Sequence, residues 1–243
     1  MMMSSRKRQK QASQAIRAQQ AAQQRRRRAS FTVIVVVIVV LVAAGTGTAI
    51  WWTNRHTASA SDYAVPTSAS KSSPGLRVGD GRVKVDIYFD FMSNDSAEFL
   101  SLASSAISSF ASGGDVELVY HPVDFDDKLS NGTKFSTRAA AAAGCAADES
   151  KLPDFISAVI AQQPKQGTSG LSNAELISAG KTAGITDSTF ATCVNSQTYA
   201  VWVSHVSNEA TGRGVSSTPG LYVNDQQVQA SATELTNAVN NAL

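Results

Sequence analysis

Residues 83–100, with the sequence VKVDIYFDFMSNDSAEFL, decide the fold of this chain. The part from 83 to 91 is apolar and rich in β-branched and aromatic residues, which is typical of a buried strand. A short turn follows over 92–96, and the residues after it favour a helix over 96–111. The stretch therefore predicts a strand, a tight turn and a helix, with the turn side chains placed at the helix N-terminus.

The turn between this strand and this helix contains no cysteine. Its four central residues are Ser93, Asn94, Asp95 and Ser96. A Cys-x-x-Cys pair at such a turn would supply dithiol chemistry. A serine hydroxyl cannot form a disulfide, so dithiol exchange at this turn is excluded.

The rest of the C-terminal region mixes strands with a long helical block. Strands are predicted over 115–121, over 220–224 and near 227–229, and helices within 134–210 and over 231–243. Proline and glycine positions divide the block at 134–210 into four or five helices. Ser231, with Glu234 three residues later, fits a capping box at the start of the last helix. This order predicts an α/β sandwich with a mixed sheet and an inserted helical subdomain.

The N-terminal region predicts a membrane anchor. Residues 1–30 contain nine basic residues, including Arg25, Arg26, Arg27 and Arg28, and no acidic residue. Residues 31–52 carry no charge, and as a helix they would extend about 33 Å, enough to cross a bilayer. Trp51 and Trp52 stand where an interfacial aromatic belt belongs.

The positive-inside rule places residues 1–30 in the cytoplasm and everything after residue 52 outside it, so we expect a single-pass plasma-membrane protein. A signal peptide cleaved near the small residues 58–60 is the alternative. No cysteine closely follows the span, which excludes a lipoprotein anchor. Residues 45–48 are small enough for close helix packing but lack the spaced dimer motif, which leaves the oligomeric state open.

Composition divides the part outside the membrane into a linker over 53–75 and one domain over 76–243. The linker is rich in Ser, Thr, Ala and Pro. All 19 acidic residues but only 12 of the 21 basic ones follow residue 52, although the whole chain has a net charge of +2. An acidic exterior argues against nucleic acid as a partner.

The chain has two cysteines, Cys145 and Cys193, both in the predicted helical block. In an oxidising compartment such a pair favours a disulfide. A loop of that length would contribute about 4 kcal/mol in the chain-entropy model. Two free thiols are the alternative, but no His, Lys or Arg lies within three positions of either cysteine to lower a thiol pKa.

Other candidate sites are weak. The histidines, His56, His121 and His205, have no metal-binding spacing, so no zinc site is expected. An acidic turn at 124–127 could attract calcium, but it lacks the EF-hand spacing, and a solvated loop is the favoured interpretation. No phosphate or dinucleotide fingerprint occurs, and no cofactor is expected.

Four stretches together resemble the DsbA-like branch of the thioredoxin superfamily, especially its membrane-anchored or secreted actinobacterial members. They are residues 83–99, 120–122, 139–145 and 214–224. The resemblance implies a cis-proline at Pro219, preceded by Thr218, that faces the turn and exposes backbone for pairing with an extended peptide. It implies a binding groove formed by Ser93, Ser96, Thr218 and Pro219, and a structural disulfide in the helical insertion. Ser93 to Ser96 depart from the family's cysteine pair.

Ser93 has a second possible role. The turn is also similar to that of kappa-class glutathione transferases and chromene-carboxylate isomerases, which use a serine there on the same fold. At a helix N-terminus its hydroxyl could bind an anion or a thiolate. The simpler interpretation, which we favour, is that Ser93 or Ser96 caps the helix.

Three functional hypotheses follow. The favoured one is a redox-inactive accessory or interaction subunit for envelope or membrane-complex proteins, because the anchor and Thr218-Pro219 are present and the redox cysteines are not. The second is a chaperone-like or isomerase-like protein that binds unfolded exported chains. The third is an enzyme, either a serine-turn thiol transferase or an oxidoreductase working through Cys145 and Cys193.

Overall fold

The computed structural model describes residues 63–243. The predicted tail, the predicted membrane span over 31–52 and its flanking arginines and tryptophans lie outside these residues. Within 63–243, no helix is both long and apolar enough to cross a bilayer.

The described region contains a five-stranded sheet and seven α-helices. The strands are β1 (Leu76–Val78), β2 (Val83–Phe89), β3 (Val116–Pro122), β4 (Gly220–Val223) and β5 (Gln226–Val228). The helices are α1 (Asn94–Gly113), α2 (Phe135–Asp148), α3 (Leu152–Ile160), α4 (Asn173–Thr182), α5 (Ser188–Ser196), α6 (Ala200–Gly212) and α7 (Ala232–Ala242). A short 3-10 helix spans Asp127–Leu129.

The sheet is mixed, with strand order β1-β3-β2-β4-β5. β2 and β3 are parallel, and the other neighbours are antiparallel. The predicted α/β fold with a mixed sheet is confirmed. The sequence did not predict β1, a three-residue edge strand too short to show a periodic pattern.

The long helix α1 connects the two parallel strands. Ser93 caps it, and one side of the helix buries Phe99, Leu100, Ala103 and Ile107 against the sheet. It ends at Gly114, whose φ of 80° is the left-handed conformation that glycine adopts without steric cost. The cap and the apolar stripe therefore fix both the start and the orientation of α1.

The helical insertion consists of the five helices α2 to α6 between β3 and β4. α2 buries a run of alanines over 139–143, which lets neighbouring helices approach closely. Cys145 on α2 and Cys193 on α5 form a disulfide with a Cα–Cα distance of 6.0 Å. The predicted disulfide is confirmed, and the chain has no other cysteine.

The segment before β1 packs on the domain, which differs from the linker predicted over 53–75. The ring of Tyr63 stacks on His205, with centroids 4.1 Å apart. The indole N–H of Trp202 donates to the carbonyl oxygen of Pro74 at 2.9 Å. Few apolar residues occur in this segment, but an aromatic ring and the prolines provide enough contact to hold residues 63–75 against α6.

At the C-terminus, Ser231 caps α7 by accepting a hydrogen bond from the backbone N–H of Glu234 at 3.2 Å. α7 buries Leu235 and Val239 against the core. The structure contains a complete capping box at a different helix, α4, where Ser172 and Glu175 bond reciprocally.

Candidate functional site

The turn after β2 is organised by two serine hydroxyls that accept hydrogen bonds. The Ser93 Oγ accepts from the backbone N–H of Ser96 at 3.2 Å, so Ser93 is the N-cap of α1. The Ser96 Oγ accepts from the backbone N–H of Asp90 at 3.3 Å. Ser96 is fully buried and Ser93 is 6% exposed. Both hydroxyls therefore satisfy backbone donors of the turn, as capping serines do.

The Thr218–Pro219 bond lies opposite this turn and is cis. The Ser93 hydroxyl donates to the carbonyl oxygen of Thr218 at 3.5 Å, the outer limit of a hydrogen bond. Of the four predicted groove residues, the structure thus brings Ser93, Thr218 and Pro219 together. Ser96 points into the protein interior instead, because its hydroxyl is used by Asp90.

Two depressions adjoin Thr218, and together we call them the Pro219 groove. One, of about 440 Å³, is lined by Ser93, Asn94, Asp95, Phe125, Asp126, Lys128, Gln166, Ser216, Ser217 and Thr218. The other, of about 460 Å³, is lined by Asp95, Glu98, Phe99, Leu102, Ser217, Thr218, Pro219, Ala230, Ser231 and Ala232. Asp95 and residues 217–218 belong to both, so the two depressions are continuous along the loop before β4.

The charge of the Pro219 groove is mainly negative. Asp95, Glu98 and Asp126 line it, and Lys128 is the one basic residue among its lining residues. Burial raises the pKa of Asp126, the charge of Lys128 lowers it, and the charge of Asp95 raises it further. Leu102 adds an apolar element, since its side chain is 68% exposed.

A buried carboxyl group lies beneath the turn. The Asp90 Oδ1 accepts from the backbone N–H of Met92 at 2.8 Å and from the Ser136 hydroxyl at 2.6 Å. Its Oδ2 accepts from the backbone N–H of Asp126 at 2.9 Å. Burial raises the pKa of Asp90 to about 7, although these three hydrogen bonds lower it. Asp90 therefore ties the turn both to the groove wall and to α2.

Sequence reasoning did not assign a role to Asp90. The available signal was a single carboxylate inside the otherwise apolar run from Ile87 to Met92. Such a residue is buried only if other parts of the chain supply donors. Those donors come from residues 126 and 136, which the local sequence pattern cannot place.

The disulfide lies outside the Pro219 groove. Neither Cys145 nor Cys193 belongs to its lining residues. The structure therefore does not bring either of the chain's two cysteines to the turn where dithiol chemistry would occur. It also leaves no free thiol.

Comparison with known proteins identifies the family. A family model described as Thioredoxin matches residues 76–241. The chain belongs to this thioredoxin family. The resemblance to DsbA-like members is confirmed by solved structures, whereas no curated protein matches the sequence.

Two similar solved structures come from Mycobacterium tuberculosis. The disulfide bond oxidoreductase DsbG is 28% identical with a TM-score of 0.57, covering 66% of this chain and 82% of DsbG. DsbA in its oxidised form is 28% identical with a TM-score of 0.56, covering 64% of this chain and 85% of DsbA. MdbA, a thiol-disulfide oxidoreductase from Actinomyces oris, is 21% identical with a TM-score of 0.62. The match covers 75% of this chain and 94% of MdbA. At that identity, MdbA supports the fold alone.

A second polar cluster of this thioredoxin-family domain surrounds Asp86 on β2. The Asp86 carboxylate lies 2.9 Å from His121 Nε2, 3.1 Å from Arg213 Nη1 and 3.2 Å from Lys84 Nζ. Burial raises the pKa of Asp86, but the hydrogen bond from His121 and the nearby positive charges outweigh it, and the net shift is downward. The predicted site list did not include this cluster, whose members are far apart in sequence.

The other candidates from sequence occupy structural positions. His121 lies in the Asp86 cluster and His205 stacks on Tyr63. In the acidic turn, Asp127 accepts from the backbone N–H and hydroxyl of Thr137, at 3.0 and 2.6 Å, and so holds the start of α2. Among residues 63–243, no cluster of His, Cys, Asp and Glu is suited to a metal ion.

Proposed function

We propose that this chain is a DsbA-type protein that binds extended polypeptide segments non-covalently in the Pro219 groove. The observation that carries this proposal is the position of the Thr218 backbone, opposite the Ser93 turn and open to depressions on both sides. A segment of extended chain can pair with exposed backbone at the end of a sheet and place its side chains in adjacent depressions. This corresponds to the chaperone-like or isomerase-like hypothesis.

The chemistry of the turn supports binding without disulfide exchange. Ser93 and Ser96 supply hydroxyls, which cannot take part in thiol–disulfide exchange. Both hydroxyls already accept backbone hydrogen bonds, and neither residue is well exposed. A buried, capping hydroxyl gives no support to the serine-turn transferase hypothesis.

The groove lining indicates the preferred segment. The acidic groups Asp95, Glu98 and Asp126 favour lysine or arginine side chains, and the exposed Leu102 favours a neighbouring apolar side chain. We therefore propose that basic, partly apolar segments of exported polypeptides are the ligands. The membrane anchor and the resulting location outside the cytoplasm are part of this proposal. An accessory-subunit role receives no support from the comparisons.

A peptide-binding experiment tests the proposal. Fluorescence anisotropy on the full chain would compare two peptides of equal length and leucine content, one with lysines and the other with glutamates. The lysine peptide is expected to bind more tightly, and Glu98→Lys to weaken it about fivefold, since a rim charge pair contributes at most about 1 kcal/mol. Asp80→Lys is the matched control, because Asp80 is an exposed carboxylate in the turn between β1 and β2.

Two results would count against this function. The first is no detectable binding of either peptide. The second is an equal loss with Glu98→Lys and Asp80→Lys, which would indicate general electrostatic attraction rather than a groove.

A second candidate function is disulfide oxidoreductase activity through Cys145–Cys193. Two observations favour it: the similar M. tuberculosis protein DsbG is described as a disulfide bond oxidoreductase, and Cys193 is only partly buried. Reduction of insulin by dithiothreitol would be followed with the wild type and with the Cys145→Ala/Cys193→Ala variant. Activity that disappears in the variant supports this candidate, and inactive wild-type protein removes it.

A further inference from the structure

The loop after β3 brings one aromatic side chain to the Pro219 groove. β3 ends at Pro122, and the loop continues to the short 3-10 helix at Asp127–Leu129. Phe125 lies in the middle of this loop and is only partly buried. It lines the depression that Ser93 and Thr218 also line. Its side chain therefore forms part of the wall of the proposed binding site.

Side chains from two other parts of the fold hold this loop on either side of Phe125. The Ser207 hydroxyl on α6 accepts a hydrogen bond from the backbone N–H of Asp124 at 3.0 Å. The Asp90 carboxyl group, directly after β2, accepts from the backbone N–H of Asp126 at 2.9 Å. Both acceptor residues are buried, with Ser207 7% and Asp90 0% exposed. Two buried acceptors thus fix the backbone immediately before and immediately after a single aromatic residue.

An aromatic residue held in this way suits a binding role. A loop that is ordered only when a ligand binds costs free energy, and a loop that is already held avoids that cost. Among residues 63–243, no other aromatic ring and no basic side chain stacks on the Phe125 ring. A partly exposed ring without such a partner can take a cationic group of a ligand against its face.

The charges around Phe125 select the ligand group. Asp95 and Asp126 line the same depression, and neither forms an ion pair with another described residue. Two carboxylates beside an aromatic ring match the guanidinium group of arginine, which is planar, stacks on aromatic faces and donates paired hydrogen bonds to carboxylates. The ammonium group of lysine carries the same charge but lacks the planar surface.

We propose that Phe125 determines the specificity of the Pro219 groove by stacking on an arginine side chain of the bound segment. Ser207 and Asp90 are the positioning residues that hold the ring at the groove wall. The guanidinium group lies against the ring and donates to the carboxylates of Asp95 and Asp126. This inference rests on the proposed polypeptide binding and names one side chain of the ligand.

Fluorescence anisotropy on the full chain tests the assignment with two peptides of equal length, charge and leucine content, one containing arginine and the other lysine. Because the two peptides carry equal charge, general attraction to an acidic surface affects both alike. We expect the wild type to bind the arginine peptide about fivefold more tightly, which corresponds to about 1 kcal/mol for one exposed cation–π contact.

Phe125→Leu keeps an apolar side chain and removes the aromatic face, so the preference for the arginine peptide should disappear. Phe110→Leu is the matched control. Phe110 is also a partly buried phenylalanine, but it lies on α1 and does not line the groove. The preference for arginine should therefore stay at its wild-type value in this variant.

Ser207→Ala tests the positioning of the ring. It removes one of the two acceptors that hold the loop, and we expect the preference for arginine to become smaller without disappearing, since Asp90 still holds the other side. Loss of general structural integrity would instead lower both affinities by the same factor and leave their ratio unchanged. Ser157→Ala is the control, because its hydroxyl donates to the carbonyl oxygen of Pro153 on α3, outside the groove lining.

Several results would overturn the assignment. Equal affinities of the wild type for the two peptides would remove it while leaving polypeptide binding in place. A preference for arginine that persists in Phe125→Leu, or that is lost equally in Phe110→Leu, would also remove it. An unchanged preference in Ser207→Ala would show that Ser207 does not position the ring. If the wild type binds neither peptide, the proposed function fails, and this inference fails with it.

Discussion

The sheet core and the helical insertion stabilise their interiors by different means. The core contains ionised groups: Asp86 is 1% exposed and is surrounded by Lys84, His121 and Arg213. The insertion contains a buried alanine run on α2 and the Cys145–Cys193 disulfide. Both cysteines of this chain are therefore in the insertion, where their disulfide links two helices. The turn that would use thiols for chemistry has hydroxyls instead.

A thioredoxin-family scaffold can thus hold this turn opposite the Thr218–Pro219 bond with hydroxyls in place of thiols. The turn retains a capped helix and faces the Thr218–Pro219 bond. The family assignment follows from this framework, whereas the chemistry depends on two side chains. Thiols placed at the turn, or charge and disulfide removed elsewhere, should therefore affect the two regions differently.

The largest effect is expected from the double substitution Ser93→Cys/Ser96→Cys. Residues three apart at a helix start have neighbouring side chains, and a helix N-terminus lowers a thiol pKa. We expect thiol–disulfide exchange at the turn to rise from none to a readily measured rate, followed by reaction with a disulfide-bonded model peptide. Ser93→Cys alone is the control, since it should form a mixed disulfide without turning over. A double variant that stays inactive would show that thiol–disulfide exchange at this turn needs other residues besides the two cysteines.

The next effect concerns the charge cluster of the core. Asp86→Ala leaves three buried or half-buried basic groups without their common partner, and we expect unfolding to require about 3–5 kcal/mol less free energy. Urea unfolding at neutral pH measures it. The control is Asp225→Asn, which removes the charge of an exposed carboxylate bound to the same Arg213 and Lys84, at 2.8 and 3.5 Å, and suits the positive φ of 63° at this position. Exposed pairs contribute less than about 1 kcal/mol, so similar losses in the two variants would contradict this assignment.

A smaller effect is expected in the insertion. Cys145→Ala/Cys193→Ala removes a cross-link that closes 48 residues, and we expect a loss of about 2–4 kcal/mol in the free energy of unfolding. The wild type unfolded with a reducing agent should match the variant. The proposed binding of peptides in the Pro219 groove should remain unchanged below the unfolding transition. A loss of binding in the folded variant would show that the two regions are coupled.

How far the sequence predicted these regions depends on the range of the interactions. The strand–turn–helix at 83–111 and the cap at Ser231 were predictable because they rest on neighbouring residues. The disulfide was predictable because only one pair can form. β1, the ordering of residues 63–75 and the Asp86 cluster were not predicted, since their contacts join residues far apart in the chain. Trp202, for example, binds Pro74.

Asp90 lies where the sheet core meets the helical insertion. Its titration is expected to change the free energy of unfolding by less than the substitutions above. Its carboxyl group belongs to the end of β2 and accepts a hydrogen bond from Ser136 of α2. Because burial raises its pKa from 3.8 to about 7, the folded protein holds a proton that the unfolded chain releases between these values. Proton binding at Asp90 therefore stabilises the folded protein fully below about pH 4, and this stabilisation is lost as the pH rises through about 7.

We therefore expect the free energy of unfolding to fall by about 2 kcal/mol between pH 5 and pH 7 through this group, measured by urea unfolding across that range. Asp90→Asn, which resembles the protonated acid, should remove this decline. Ser136→Ala should move the decline to higher pH, because the hydrogen bond from Ser136 lowers the pKa. An identical pH dependence in the wild type and Asp90→Asn would show that the carboxyl group is ionised throughout. The three donors around it would then outweigh its burial, and the junction between the core and the insertion would be held by a charge, as the core is at Asp86.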